Sequence, residues 1–125
     1  MQKIDPKKLT LTERVEKMNQ LILHGHILEA FEKFYAETIT KQVNNKELTI
    51  GKEACRLSEE CFVTSISEFR NASVKNVIIS DNISVVEWEL DFTHNKMGDK
   101  KYTQVVVQRW NKDGEIVNES IYNNN

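Results

Sequence analysis

From Ala72 onward the chain alternates in a way that a sheet explains best. The runs "ASVKNVIIS" (72–80), "ISVVEWELDFTH" (83–94), "KYTQVVVQRW" (101–110) and "EIVNESIY" (115–122) are rich in valine, isoleucine and aromatic residues. Short breaks carrying Asp81-Asn82, Met97-Gly98-Asp99 and Asp113-Gly114 join them. Long strands joined by short turns predict an antiparallel meander, because parallel neighbours need a crossover of a dozen or more residues. Such a sheet must bury one face, and the first half of the chain has to supply the cover.

That first half has helical spacing. Val15, Met18 and Ile22 predict a helix from near Thr12 to His24, with Thr12 as N-cap. Ile27, Phe31, Phe34 and Tyr35 predict a second from His26 to Glu37. "TITKQVNNKEL" reads as β-like and ends in an Asn-Asn turn. A third helix is expected over Gly51–Phe69, with Ala54, Leu57, Cys61, Phe62, Ile66 and Phe69 inward. Pro6 lies before the first helix. Helices first and strands after give an α+β single domain spanning 1–125, with three N-terminal helices packed on a curved antiparallel sheet.

Composition narrows the function classes. With 39 % hydrophobic and 29 % charged residues, the 125-residue chain has the balance of a globular domain with a real core. The net charge is −2 and the basic residues are scattered, so no nucleic-acid partner is expected. No apolar run approaches the roughly 20 residues of a membrane span, and "MQKIDPKKLTLTERVEKMN" lacks a signal core, so neither membrane nor secretion is expected. Cys55 and Cys61 point in different directions on one helix. Two buried reduced thiols and a cytoplasmic location are the expectation.

Side-chain alternation then sorts the strands into two faces. A register with Trp110 opposite Glu115 and Phe92 opposite Gln104 places Val106 across from Glu119 and Trp88 across from Gln108. One face holds Val86, Trp88, Leu90, Phe92, Gln104, Val106, Gln108, Trp110, Val117 and Glu119, and should meet the helices. The other holds Glu87, Glu89, Asp91, Val105, Val107, Arg109, Ile116, Asn118 and Tyr122, and should meet water or a partner subunit.

The order of "FEKFYAETITKQVNN", "TIGKEACRLSEECF", "VVEWELDFTH" and "VVVQRWNKDGEIVNESIY" resembles the SnoaL-like group of the nuclear-transport-factor-two-like superfamily, over roughly residues 12 to 123. The resemblance implies a cone-shaped α+β barrel with a cavity at its open end. It also implies a homodimer through the outer sheet face. The superfamily holds isomerases, cyclases, dehydratases, epoxide hydrolases and non-catalytic binders, so fold alone does not name the chemistry.

Glu119 is the first candidate for chemistry: a carboxyl facing an apolar cavity can serve as general acid or base. Tyr35, Trp88 and Trp110 are candidate walls for a small apolar or aromatic molecule, and Gln104 and Gln108 candidate hydrogen-bond donors to it. The plainer alternative is that Glu119 and Gln108 satisfy each other, as buried polar side chains usually do. Family enzymes of the ketosteroid isomerase type carry an aspartate shortly after the second helix. Here that stretch offers Gln42, Val43 and Asn44, which argues against steroid-type proton transfer. His24 and His26 flank Gly25 without a clear third ligand, so a helix junction is expected rather than a metal site. No glycine-rich phosphate loop is present and no cofactor is expected. The expected function is binding of a small organic ligand, with cofactor-free isomerase, cyclase or hydratase chemistry through Glu119. The alternative is a non-catalytic binding or interaction module whose cone is closed.

Overall fold

The structure is a computed structural model that describes residues 9–124; Pro6 and the remaining terminal residues lie outside that range. Helix α1 spans Leu11–Leu23 and opens with a capping box, Thr10 Oγ1 accepting from the Glu13 amide while Glu13 Oε1 accepts from the Thr10 amide. The N-cap is therefore Thr10, two residues before the expected Thr12, because Thr10 has the glutamate three residues on that closes the box. Helix α2 spans Ile27–Phe34 and stops three residues before the expected Glu37. Tyr35 turns extended there and starts strand β1, Tyr35–Val43. His24 and His26 lie at the α1–α2 junction, as expected.

A two-residue strand β2 (Thr49–Ile50) follows a turn in which Asn44 and Asn45 take positive φ. Helix α3 spans Lys52–Thr64. Strands β3 (Ile66–Ser80), β4 (Ile83–His94), β5 (Gly98–Trp110) and β6 (Ile116–Asn123) complete a six-stranded sheet in the order β2-β1-β6-β5-β4-β3. The meander β3 to β6 is antiparallel as expected, and β1 adds to β6 in parallel. The helices and the sheet enclose a core that includes Val15, Met18, Phe31, Phe34, Ile39, Trp88, Trp110 and Ile116. This is the expected α+β class.

Helix α3 departs from the expectation in length and in face. It ends at Thr64, and Ile66 to Arg70 join β3, where Phe69 pairs with Phe92 and is half exposed. Long-range pairing with β4 thus overrides the local helical spacing. Lys52 and Cys55 are buried on α3, and Glu59 and Phe62 line the interior, at spacings of three and four. The competing stripe Ala54, Leu57, Cys61 is exposed, Leu57 at 59 %. Cys61 is therefore an exposed thiol, contrary to the expectation of two buried ones.

The strand registers also differ from the expected ones. Trp88 pairs with Gln104, Phe92 with Lys100 and Gln108 with Glu119. Both slips are even, four residues in one hairpin and two in the other, so most side chains keep their face. A bulge between Arg109 and Trp110 is the exception. It brings Ile116, not Val117, opposite Trp110, and Ile116 is 0 % exposed. Ile116 thus belongs to the core and not to the outer patch with Val105 and Val107.

Candidate functional site

Between the helices and the inner sheet face lies a cavity of about 120 Å³. Its apolar wall includes Ile22 from α1, Phe62 from α3, and Trp88 and Leu90 from β4. An outer recess of about 360 Å³ shares Glu59, Phe62, Leu90, Gln104 and Ile121 with it and adds Lys41, Asn44 and Lys46 at the rim.

One end of the cavity is polar. Glu119 is 3 % exposed and comes from β6 beside Gln108 on β5, its cross-strand partner. Glu119 Oε2 accepts a hydrogen bond from the Tyr35 hydroxyl and one of 2.6 Å from Gln108 Nε2. Gln108 is held in that orientation from the other side. Trp110 Nε1 donates to Ser84 Oγ at 2.9 Å, and Ser84 Oγ donates to Gln108 Oε1 at 3.3 Å. With its carbonyl taken by Ser84, the Gln108 amide presents its NH₂ to the carboxylate. Burial first, and the Glu119 charge second, push the Tyr35 phenol well above its ordinary pKa, so it remains a donor.

Both bonds fall on Oε2. Glu119 Oε1 takes no hydrogen bond among the described residues and is not sealed from solvent. Asn19 on α1 also lines the cavity, and its buried Oδ1 has no hydrogen-bond partner among the described residues.

A second charged group completes the interior. Lys41 on β1 pairs with Glu119 across the β1–β6 ladder, and its Nζ lies 3.6 Å from a Glu59 carboxylate oxygen. Burial pushes Glu59 above the usual carboxylate range; Lys41 holds it partly down and Glu119 adds to the rise. Burial works against the Lys41 charge, but Glu59 and Glu119 outweigh it and hold Lys41 above its ordinary value. Among the described residues no group of His, Cys, Asp and Glu is gathered in a way that could hold a metal ion.

The sequence pattern of the SnoaL-like domain matches residues 9–123. The chain belongs to the SnoaL-like family. A Mesorhizobium loti protein named as a SnoaL-like polyketide cyclase superposes with a TM-score of 0.81 at 21 % identity, covering 91 % of this chain and 99 % of that one. A Jannaschia protein of the same description gives 0.76 at 13 % identity, covering 99 % and 92 %. An NTF2-like protein of unknown function from Burkholderia pseudomallei gives 0.74 at 16 % identity, covering 89 % and 88 %. At these identities the likeness establishes the fold alone. No protein of curated function matches the sequence.

In this SnoaL-like chain the structure gathers Tyr35, Trp88, Gln104, Gln108 and Glu119 around one cavity. Trp110 stands apart from them. It lines a separate recess with Leu9, Arg14 and Gly114, packs edge-on against Phe34, and reaches the cavity only through the Ser84–Gln108 relay. Gln108 donates to Glu119 and not into open space, whereas Gln104 lies on the wall shared with the outer recess. Sequence reasoning missed Asn19, Lys41 and Glu59. The inward stripe 52–55–59–62 reads Lys, Cys, Glu, Phe and offers no apolar signal for Glu59, while the more apolar stripe 54–57–61 points elsewhere.

Proposed function

We propose that this SnoaL-like protein binds a small organic molecule in the cavity and that Glu119 acts there as a general acid or base. The observation that carries the reading is the division of labour on one carboxylate. Tyr35 and Gln108 fix Oε2, and Oε1 is left at the end of an apolar cavity. A carboxylate so held can take a proton from a carbon or hydroxyl of the ligand and return it elsewhere, which is what isomerisation, cyclisation or hydration needs, with no cofactor. Tyr35 and Gln108 are then positioning residues, and Trp88 with Phe62 and Leu90 forms the wall that excludes water.

A non-catalytic binding or interaction module is the rival, and one observation favours it: Tyr35, Gln108 and Glu119 already satisfy one another. Native mass spectrometry of protein taken directly from its expression host separates the two. A bound small molecule, lost on Trp88→Ala, supports the pocket. Its turnover, abolished by Glu119→Gln with the fold intact by circular dichroism, supports acid/base chemistry. Retained turnover in that variant removes Glu119 as the acid or base, and a protein that carries nothing and binds nothing in a screen favours the rival.

A further inference from the structure

Resting on the reading of Glu119 as the acid or base, the ammonium of Lys41 is the charged group which that reading leaves unused. Lys41 and Glu119 are partners across the parallel β1–β6 ladder, so their side chains leave the same face of the sheet from backbones about 4.8 Å apart. Lys41 lines the outer recess and Glu119 the inner cavity, and Glu59 on α3 stands on the wall that the two spaces share. Glu59 draws the Lys41 ammonium to that wall, with Nζ 3.6 Å from its carboxylate.

That contact is an ion pair, but it is longer than a hydrogen bond. Lys41 Nζ makes no hydrogen bond among the described residues and is not sealed from solvent, although its side chain is only 12 % exposed. An ammonium carries three N–H donors. They stand beside the same wall as Glu119 Oε1, which also takes no hydrogen bond among the described residues. Burial opposes the Lys41 charge, but Glu59 and Glu119 outweigh it, so the group is a donor and not a nucleophilic amine.

The complement of such a donor is an acceptor on the ligand. Two carboxylates already flank the ammonium, so a ligand carboxylate would bring a third negative charge into the same space. A neutral carbonyl oxygen brings none. It also suits the base, because taking a proton from the carbon beside a carbonyl needs a cation or donor where charge develops on the oxygen.

We propose that Lys41 is a second catalytic residue, its ammonium donating to a carbonyl oxygen of the ligand while Glu119 Oε1 takes the proton from the adjacent carbon, with Glu59 as the positioning residue that fixes the ammonium. The C–H bond breaks, its electron pair forms the C=C bond of an enolate, and the carbonyl π pair moves onto the oxygen that Lys41 holds. Glu119 then returns the proton to the same carbon or to another, so the step balances without an oxidant or reductant.

Two small ketones, butanone and cyclopentanone, test this in D₂O at pD 7. Exchange of their α-protons is followed by proton NMR against acetate at the protein's concentration, and the C=O stretch of the bound ¹³C-labelled ketones by infrared difference spectra. The expected result is exchange about tenfold or more above acetate, abolished in Glu119→Gln and about 100-fold slower in Lys41→Met, with part of the rate recovered in Lys41→Arg. The bound C=O band should lie at lower frequency in the parent than in Lys41→Met. If Lys41→Met does not fold, the band should still differ between the parent and Lys41→Arg, which it does only where residue 41 touches the carbonyl. Exchange at the parent rate in Lys41→Met, or a band that no change at residue 41 moves, overturns the role of Lys41 and leaves Glu119 standing. A ketone adduct on Lys41 trapped by borohydride overturns it too, since a protonated donor forms none. Binding without exchange removes the chemistry and leaves a ligand site. Exchange that survives Glu119→Gln overturns the reading of Glu119 itself, and neither binding nor exchange of either ketone at millimolar concentration removes the proposal together with the cavity reading.

Discussion

Replacing Tyr35 by phenylalanine removes one oxygen from the centre of the polar network and leaves the ring where it packs, 4.7 Å from Phe31 between centroids. The lost hydroxyl donates to a buried carboxylate and accepts a long 3.3 Å contact from Gln108 Nε2. Gln108 keeps its 2.6 Å bond to Glu119, so its donor is not stranded. The loss is therefore one hydrogen bond to a charged group, about 1.5–3 kcal/mol, slightly offset because the phenol no longer needs to be dehydrated. We expect Tyr35→Phe to destabilise by about 2 kcal/mol, which for a domain of this size lowers Tm by roughly 8 °C. In a Glu119→Gln background the same hydroxyl donates to a neutral amide oxygen, and its removal should cost only about 1 kcal/mol. Urea unfolding of the four proteins at pH 7 closes the cycle, with an expected coupling of about 1 kcal/mol. A loss below about 0.5 kcal/mol in the parent, or equal losses in both backgrounds, would refute the phenol–carboxylate bond on which the site is built.

A thiol reagent should label Cys61 in the native protein and reach Cys55 only after unfolding, since Cys55 is buried and its thiol donates to the Thr49 carbonyl; fast double labelling would contradict the packing of α3. Gly114→Ala should destabilise by about 1–2 kcal/mol by thermal melt, because Gly114 sits at φ +77° and the new methyl would also meet the Arg14 guanidinium. Glu59 has a folded-state pKa raised by burial, so its contribution to stability is full below its unfolded value and is lost as pH climbs through the raised one. Relative to Glu59→Gln, the parent should therefore lose stability from about pH 4.5 upward, read as urea midpoints along a pH series; a gain instead would place Glu59 outside the interior. We also propose a homodimer through the outer sheet face around Val105, Val107 and Tyr122, which Val107→Glu should convert to a monomer by sedimentation; a parent that sediments as a monomer when dilute removes it.

The meander was legible because alternation in "ISVVEWELDFTH" and "VVVQRW" sets faces by parity, and parity survives any even slip of register. Parity therefore places Trp88, Gln108 and Glu119 inward even though the observed partners differ from the expected ones. The same rule fails where the chain adds a residue. The bulge after Arg109 exchanges Val117 for Ile116, and nothing in "RWNKDGEIV" announces it. Helix α3 failed differently. Of its two candidate stripes the more apolar one, Ala54, Leu57 and Cys61, is exposed, and the one that faces inward contains a lysine and a glutamate. Lys52 is accommodated because its Nζ donates to the Glu32 carbonyl at 3.0 Å, and Glu59 because Lys41 meets it. Both partners are distant in sequence, so no local pattern could have revealed them.

The order of that polar relay bears on which reading of the cone is better. If Tyr35, Gln108 and Glu119 served packing alone, apolar residues of like volume would do as well or better, since buried charges are commonly no gain over hydrophobic replacements. The relay instead runs in one direction, Trp110 to Ser84 to Gln108 to Glu119, and each donor uses up the acceptor behind it. Its last member, Gln108 Nε2, joins the Tyr35 hydroxyl in donating to Glu119 Oε2, and Oε1 takes no hydrogen bond among the described residues. A closed module would have no use for a carboxylate held by one oxygen beside an apolar cavity. An occupied one would, because the occupant brings a group for the free oxygen to act on.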